Sequence, residues 1–211
     1  MEEVLKRIHW LGHSAFKITG DDGQVIYLDP FKLNQGDKAD LILVSHGHYD
    51  HLSPEDIAKI KGANTEIVGP PDSVDGHEGE TTAVKPGDKI TAQGIEIEVV
   101  PAYNTNKSFH PRQKNWVGYV LTVAGRKIYF AGDTDRIPEM QTIKTDFALL
   151  PVSGTYVMTA EEASAAALDL KPEVAIPMHY GSGVVGTVDD ANRFKELLYG
   201  KVRVEIKNRN N

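Results

Sequence analysis

The chain contains no cysteine among its 211 residues. That absence excludes disulfides and thiolate–metal bonds, so any metal must be held by nitrogen and oxygen. Basic charge is also scarce: 23 Lys and Arg stand against 30 Asp and Glu, a formal net charge of −7. General nucleic-acid binding needs a basic face, and this balance argues against it. Long hydrophobic runs are missing as well. The N-terminus MEEVLKRIHWLG has no signal-peptide core, and no run approaches the ~20 apolar residues that cross a bilayer. The expectation is a cytoplasmic protein with no membrane association. With 40% hydrophobic and 25% charged residues the composition is that of a globular chain able to bury a core. No repeat, low-complexity tract or linker interrupts it, so we expect a single domain over 1–211.

The first half reads mainly as strands. RIHWLG, SAFKITG and QVIYLD are short β-type runs, the last two flanking the turn signal GDDG at Gly20–Gly23. DLILVS, from Asp40 to Ser45, is a continuous apolar run of the kind buried on both sheet faces. A helix is expected next, with Ser53 as its cap, Pro54 in its first position and Glu55 and Asp56 complementing the dipole. TEIVG, IEIEVVPA and the hairpin GYVLTV-AG-RKIYFAGD continue the strands. In the second half TAEEASAAALDL opens with a capping box at Thr159 and Glu162, and TVDDANRFKELLYG runs from Thr187 to a glycine stop at Gly200. FALLPVS, VAIPMHY and VRVEIK are strands between and after these helices. The pattern predicts a layered α/β fold with two sheets.

Chemistry concentrates in SHGHYDHL, Ser45–Leu52, which holds three of the chain's eight histidines. His46, His48, Asp50 and His51 lie where a buried strand ends and a helix begins. A loop in that place can fold these side chains toward one point, and imidazole with carboxylate suits zinc, manganese or iron. A merely histidine-rich polar loop is the bland alternative, and four ligand-type residues in six positions speak against it. Partners from elsewhere are needed. Asp133 follows the apolar run KIYFAG and His179 follows VAIP. Alone, Asp133 could cap a turn and His179 could be a satisfied core histidine; beside the loop cluster both become candidate ligands.

HGHYDH, GDT at 132–134 and MHY at 178–180 together resemble the metallo-β-lactamase superfamily, whose signature is HxHxDH. WLGHSAF and YLDPF further resemble the branch of metal-dependent hydrolases that includes L-ascorbate-6-phosphate lactonase. The resemblance spans nearly the whole chain. It implies a four-layer αβ/βα sandwich, two mixed β-sheets flanked by helices, with two divalent metal ions, Zn²⁺ or alternatively Mn²⁺ or Fe²⁺, along one sheet edge. It further implies that one metal takes His46 and His48, the other Asp50, His51 and His179, with Asp133 bridging. The family's third histidine on the first metal is expected where this chain has Tyr103 and Asn104. Either His110 swings in from a longer loop or the first site is incomplete; His110 is the favoured ligand. His13 in LGHSAF is a candidate substrate or supporting group, with an ordinary buried histidine as its alternative, and His9 and His77 read as structural or exposed.

The implied reaction is hydrolysis by a metal-bound hydroxide, which needs no nucleophilic side chain. The chain indeed has no G-x-S-x-G elbow. Asp50 can orient the hydroxide or pass its proton on, and Tyr180 or Tyr103 can donate to an oxyanion unless each is simply packed. From Val99 to Gly132 there are 34 residues without Asp or Glu, and this window carries Lys107, Arg112 and Lys114. A basic loop beside the metals suits a small, phosphate-bearing anion, such as an ester, lactone or phosphodiester. A solvated loop short of acids by chance is the alternative. Two competing readings remain: a sensor or mononuclear protein without turnover, kept open by Asn104, and a nuclease or phosphodiesterase acting on RNA, opposed by the acidic balance.

Overall fold

In the computed structural model of the protein, residues 1–210 are described, and they build two facing sheets. The first has six strands: β1 (Ile8–Gly12), β2 (Ala15–Thr19), β3 (Val25–Leu28), β4 (Ala39–Leu43), β5 (Lys61–Gly69) and β6 (Glu80–Ala83), in that spatial order. The second has seven, β7 (Lys89–Ala92), β8 (Ile95–Pro101), β9 (Val117–Val123), β10 (Arg126–Phe130), β11 (Phe147–Pro151), β12 (Val174–Met178) and β13 (Arg203–Val204), again adjacent in chain order. Both sheets are mixed. β1–β2–β3 pair antiparallel and β3 to β6 parallel, while β7 to β10 pair antiparallel and β10 to β13 parallel.

Helices cover the outer faces. α1 (Glu2–Arg7), α2 (Pro54–Ile60) and α3 (Pro71–Val74) accompany the first sheet, and α4 (Ala160–Leu170) and α5 (Val188–Leu197) pack on the second. The expected four-layer αβ/βα sandwich is therefore the observed one. β4 displays its logic residue by residue. Leu41 and Leu43 face the core between the sheets, where Phe16 meets Phe130 edge-on with centroids 6.3 Å apart, whereas Ile42 and Val44 face Ile57 and Ile60 of α2. A strand buried on both faces has to be apolar throughout, which is why DLILV does not alternate.

Local signals account for most boundaries. The Ser53 hydroxyl accepts from the Asp56 N–H at the start of α2, and Thr159 and Glu162 cap α4 reciprocally. The β9–β10 hairpin turns on Ala124 and Gly125, both left-handed, as a two-residue turn of this twist requires. Five elements differ from the sequence expectation. α1 occupies residues read partly as strand, α3, β6 and β7 were not anticipated, and β13 is only two residues of the expected VRVEIK strand. Edge strands β6 and β7 are largely exposed, so no hydrophobic alternation marks them.

One consequence of this topology matters for chemistry. β1, β3, β4, β8, β10, β11 and β12 all run in one sense within their sheets, so the segments after them emerge at the same edge of the sandwich. His13, Asp29, the 44–53 loop, the 102–116 loop, Asp133, Ser153 and His179 all follow these strand ends. Ligand sites of α/β sheets characteristically form at carboxyl ends of strands.

Candidate metal centre

Each sequence-predicted ligand arrives at this edge. His46 Nε2 and His48 Nδ1 lie 3.1 Å apart. With His110 they form one group whose ligand atoms are all within 4.8 Å, and His13, Asp50, His51 and His179 form a second. Asp133 sits between the two. One of its oxygens is 3.2 Å from His110 Nε2 and 3.1 Å from His179 Nε2, and the other is 3.3 Å from His51 Nε2. Gly132 makes this approach possible: its φ is +63°, and a Cβ there would stand 2.7 Å from the Val117 carbonyl oxygen.

The outward ring nitrogens of His46, His51 and His179 are each held. His51 Nδ1–H donates to Asp29 at 2.6 Å, and His179 Nδ1 pairs with the Ser153 hydroxyl at 2.8 Å. Ser45 Oγ donates to Asp29 at 2.5 Å and meets His46 Nδ1 at 2.9 Å, so it accepts the imidazole N–H. Such outer partners fix the tautomer and aim the opposite nitrogen inward. What remains inside are four buried atoms without a hydrogen-bond partner: His51 Nε2, His110 Nε2, His179 Nε2 and Asp133 Oδ1. They lie close to one another yet are not aligned for hydrogen bonds, because they converge on shared points rather than on each other. Buried polar groups are almost always paired, so four orphans in one place fit a cation.

The electrostatics agree. Burial keeps the His46 imidazole well below its ordinary range, with His51 adding to the effect, so it is neutral and able to ligate. Burial would raise the Asp133 carboxyl, but His179 and His51 outweigh it and hold Asp133 well below the usual carboxylate range. Burial likewise opposes a second proton on His51, and the carboxylates of Asp133 and Asp29 overcome it. A field that attracts a proton to His51 attracts a cation to the same place.

The loop after β8 answers the question raised by Asn104. Its side-chain oxygen accepts from the His110 backbone N–H at 2.9 Å and pairs with His110 Nδ1 at 3.1 Å, while its amide donates to Asp135 and to the Tyr156 carbonyl. Asn104 thus stands in the expected position and presents His110, whose Nε2 points to the centre. Tyr103 turns away and donates to Glu139.

His13 joins the site as a supporting group. Burial lowers its imidazole to about 4, so a neutral ring donates from Nε2 to Asp50 at 3.0 Å and accepts at Nδ1 from the Ser182 hydroxyl at 3.0 Å. Its backbone carbonyl accepts from both the Trp10 indole and the His179 N–H. His13, Asp29 and His179 are three of eight non-glycine residues with positive φ among the described residues, so backbone strain gathers at this edge.

Two of the expected groups lie away from the open space above the centre. Tyr180 does not border the open space above the centre: its ring is buried and stacks on Trp10 with centroids 4.7 Å apart. That space, about 290 Å³, is lined instead by His48, Tyr49, Asp50, Phe109, His110, Asp133, Tyr156 and Val184. Lys107, Arg112 and Lys114 do not line it either. Lys107 pairs with the buried Asp135 at 2.7 Å, Arg112 with Glu139 at 2.9 Å, and Lys114 lies over Trp116 and 3.9 Å from Asp72. The loop is poor in acids, but acids from elsewhere neutralise it. A second hollow of about 340 Å³, bordered by Lys17, Lys32 and Asp37, holds none of these ligand groups. His9 pairs with Asn210, and His77 lies between α3 and β6, both apart from the centre.

Sequence reasoning misses Asp29, Ser45, Ser153 and Tyr156. Asp29 carries a usable signal, an acid directly after the apolar strand VIYL, much as Asp133 comes after the apolar run KIYFAG. The serines carry none, because their contribution is the angle at which they hold a ring.

Comparison with known proteins agrees with this geometry. The profile of the "Beta-lactamase superfamily domain" matches residues 7–179. A UPF0173 metal-dependent hydrolase from Thermoplasma acidophilum is 36% identical over 207 residues, covering 90% of each chain. A crystal structure described as a metal-dependent hydrolase from Parabacteroides distasonis superposes with a TM-score of 0.84 at 35% identity, covering 95% of this chain and 91% of that one. A metallo hydrolase from Ignicoccus hospitalis gives a TM-score of 0.79 at 26% identity, with 97% and 95% covered. Two mixed sheets, ligand residues gathered at their common edge and these similarities together establish that the chain belongs to the UPF0173 metal-dependent hydrolases of the beta-lactamase superfamily.

Proposed function

We propose that the protein hydrolyses a small carboxylic ester or lactone at a pair of divalent cations. His46, His48 and His110 would hold one, Asp50, His51 and His179 the other, with Asp133 between them. Zinc suits this all-nitrogen-and-oxygen set, and manganese or iron can replace it. When bound, such ions supply Lewis acidity and lower the pKa of water toward about 7.

The protein's own groups do the rest. Asp50 borders the cavity and is held ionised: burial opposes this, but the hydrogen bond from His13 and the nearby His51 prevail. A carboxylate so placed can take a proton from the attacking water and pass it to the departing alkoxide. His13, anchored by Ser182, keeps that carboxylate aimed. Trp116 packs its ring 4.9 Å from the rings of His46 and His48 and shields them from solvent.

The observation that carries this reading is the convergence of four unpartnered buried ligand atoms around Asp133. A sensor with a single metal draws its support from Asn104 standing where a histidine is expected; the Asn104–His110 contact favours the two-cation reading over it. Elemental analysis of protein purified without chelator tests the proposal. Two equivalents are expected in the wild type and about one in His110→Ala, with turnover lost. One equivalent in both proteins would overturn the two-cation assignment.

A further inference from the structure

The wall of the cavity says what kind of molecule enters. Four segments supply its non-ligating part: Tyr49 from between His48 and Asp50, Phe109 from beside His110, Tyr156 from the loop after β11, and Val184 from the loop after β12. Tyr49 is 69% exposed and Phe109 45%, so both present apolar surface to solvent immediately next to ligand residues. Phe109 meets Tyr156 edge-on at 4.7 Å, and Tyr49 rests against Phe31 at 6.0 Å, which in turn packs on His13 at 5.7 Å. The aromatic rim is therefore braced rather than loose.

No Lys or Arg is among the lining residues. The cations of the neighbouring loop have acidic partners, and Lys32 donates to the Ser182 carbonyl with its ammonium 5.3 Å from the Phe31 ring centroid. Charge developing on the reacting carbonyl would be met at the metal centre. A second, distant anionic group would lie against aromatic rings with no Lys or Arg beside it to pair with.

We propose that the non-reacting part of the substrate is uncharged and apolar: an alkyl or aryl group seated between Phe109, Tyr156, Tyr49 and Val184. This rests on the ester-hydrolase reading above and deepens it. The cavity of about 290 Å³ is partly open to solvent, so it seats a small alkyl or aryl group next to the ligand residues. A sugar-phosphate lactone, whose phosphate is remote from the scissile bond, does not match this wall.

A matched pair of esters separates the two questions. 4-Nitrophenyl butyrate and mono(4-nitrophenyl) succinate share a leaving group and chain length and differ in one remote carboxylate. With metal-loaded protein the butyrate is expected to show at least about a tenfold higher kcat/KM, the scale of one apolar contact in a pocket. Phe109→Ala should raise KM for the butyrate about tenfold with a smaller change in kcat. Val184→Lys should shift preference toward the succinate. Equal or faster turnover of the succinate, or an unchanged KM in Phe109→Ala, would overturn the inference and leave the hydrolase reading intact. If neither ester is turned over, the ester reading fails, and the wall is judged by binding alone. Quenching of Trp116 fluorescence by N-(4-nitrophenyl)butyramide and N-(4-nitrophenyl)succinamate then decides. Tighter binding of the neutral anilide upholds the inference, and tighter or equal binding of the charged one overturns it.

Discussion

The two halves of the centre are built in different ways. The half containing His51 and His179 is held by strand ends: Asp29 follows β3, Ser153 follows β11, and His179 follows β12 directly. The half completed by His110 depends on the 102–116 loop, whose order derives from polar contacts to Asn104 and Asp135. One half is thus oriented by the sheets themselves and the other by a hydrogen-bonded loop laid against them. Parallel strand ends place a residue to within the register of the sheet, whereas a loop of this length needs its own buried anchors.

Removing the residue common to both halves should have the largest effect. Asp133→Ala is expected to release both cations and to lower kcat/KM by at least about 10³-fold, since it deletes a central electrostatic group outright. Metal content by elemental analysis and turnover of 4-nitrophenyl butyrate check this together. Retention of one full equivalent would show that the halves are independent sites and that Asp133 is not shared.

Substitutions behind the rings should break the halves one at a time. Asp29→Asn weakens the grip on His51, and Asn104→Ala frees His110. Loss of such an outer partner typically costs 10–100-fold in metal affinity, and about that range is expected here for one of the two equivalents in each variant. Competitive chelator titration resolves the two events. Asp29→Asn should also lower stability, because the Ser45 hydroxyl, the Ser45 backbone N–H and His51 Nδ1–H share two carboxyl oxygens in a fully buried place and an amide offers them only one. Asn104→Ala, at the looser half, should leave the melting temperature less affected.

His13 belongs to neither half as a ligand in our assignment and acts through Asp50. His13→Ala is expected to lower kcat roughly tenfold, with both metal equivalents and KM little changed, while His13→Gln, which retains a donor, recovers part of the loss. Loss of a metal equivalent in His13→Ala would instead make it a ligand, an outcome its proximity to His51 and His179 keeps testable.

How much of this was readable beforehand follows from the same contrast. DLILV announces a doubly buried strand, HGHYDH announces a ligand loop after it, and Ser53, Thr159 and Ala124-Gly125 mark caps and a hairpin by chemistry that acts locally. Residues whose role is angular leave no such trace. Asn104 reads as a missing histidine until its contact with His110 is seen, and Lys107 reads as a free cation until Asp135, 28 positions away, is placed beside it. Charge counted along a sequence window ignores partners brought in by the fold, which is how the expectation of a basic, phosphate-binding loop arises. α1 escapes because six residues are too few to establish a helical period, and only Val4 and Leu5 are buried. Tyr49, exposed, and Tyr156, half-buried, escape because neither is distinguishable from an ordinary surface aromatic without the cavity both border.

Asp135 offers the finest probe of the difference between the halves. Its carboxylate accepts from Asn104, from the Thr105 N–H and from Lys107, so the whole His110 loop hangs on one ionised group. Burial would raise its pKa, but Lys107 and the backbone N–H donors prevail and hold it below the usual carboxylate value. A carboxyl with a lower pKa folded than unfolded stabilises the protein fully above the unfolded value of about 3.9 and ceases to do so as pH falls through the folded value. Asp135→Asn should therefore cost about 1.5–3 kcal/mol at pH 7, the worth of hydrogen bonds to a charged group. Its deficit relative to wild type should shrink as pH drops below about 4. Urea titrations of both proteins from pH 7 downward measure this directly. A deficit that stays constant across the range would mean that the loop is ordered by packing of Phe109 and His110, and the two halves would then be alike in what holds them.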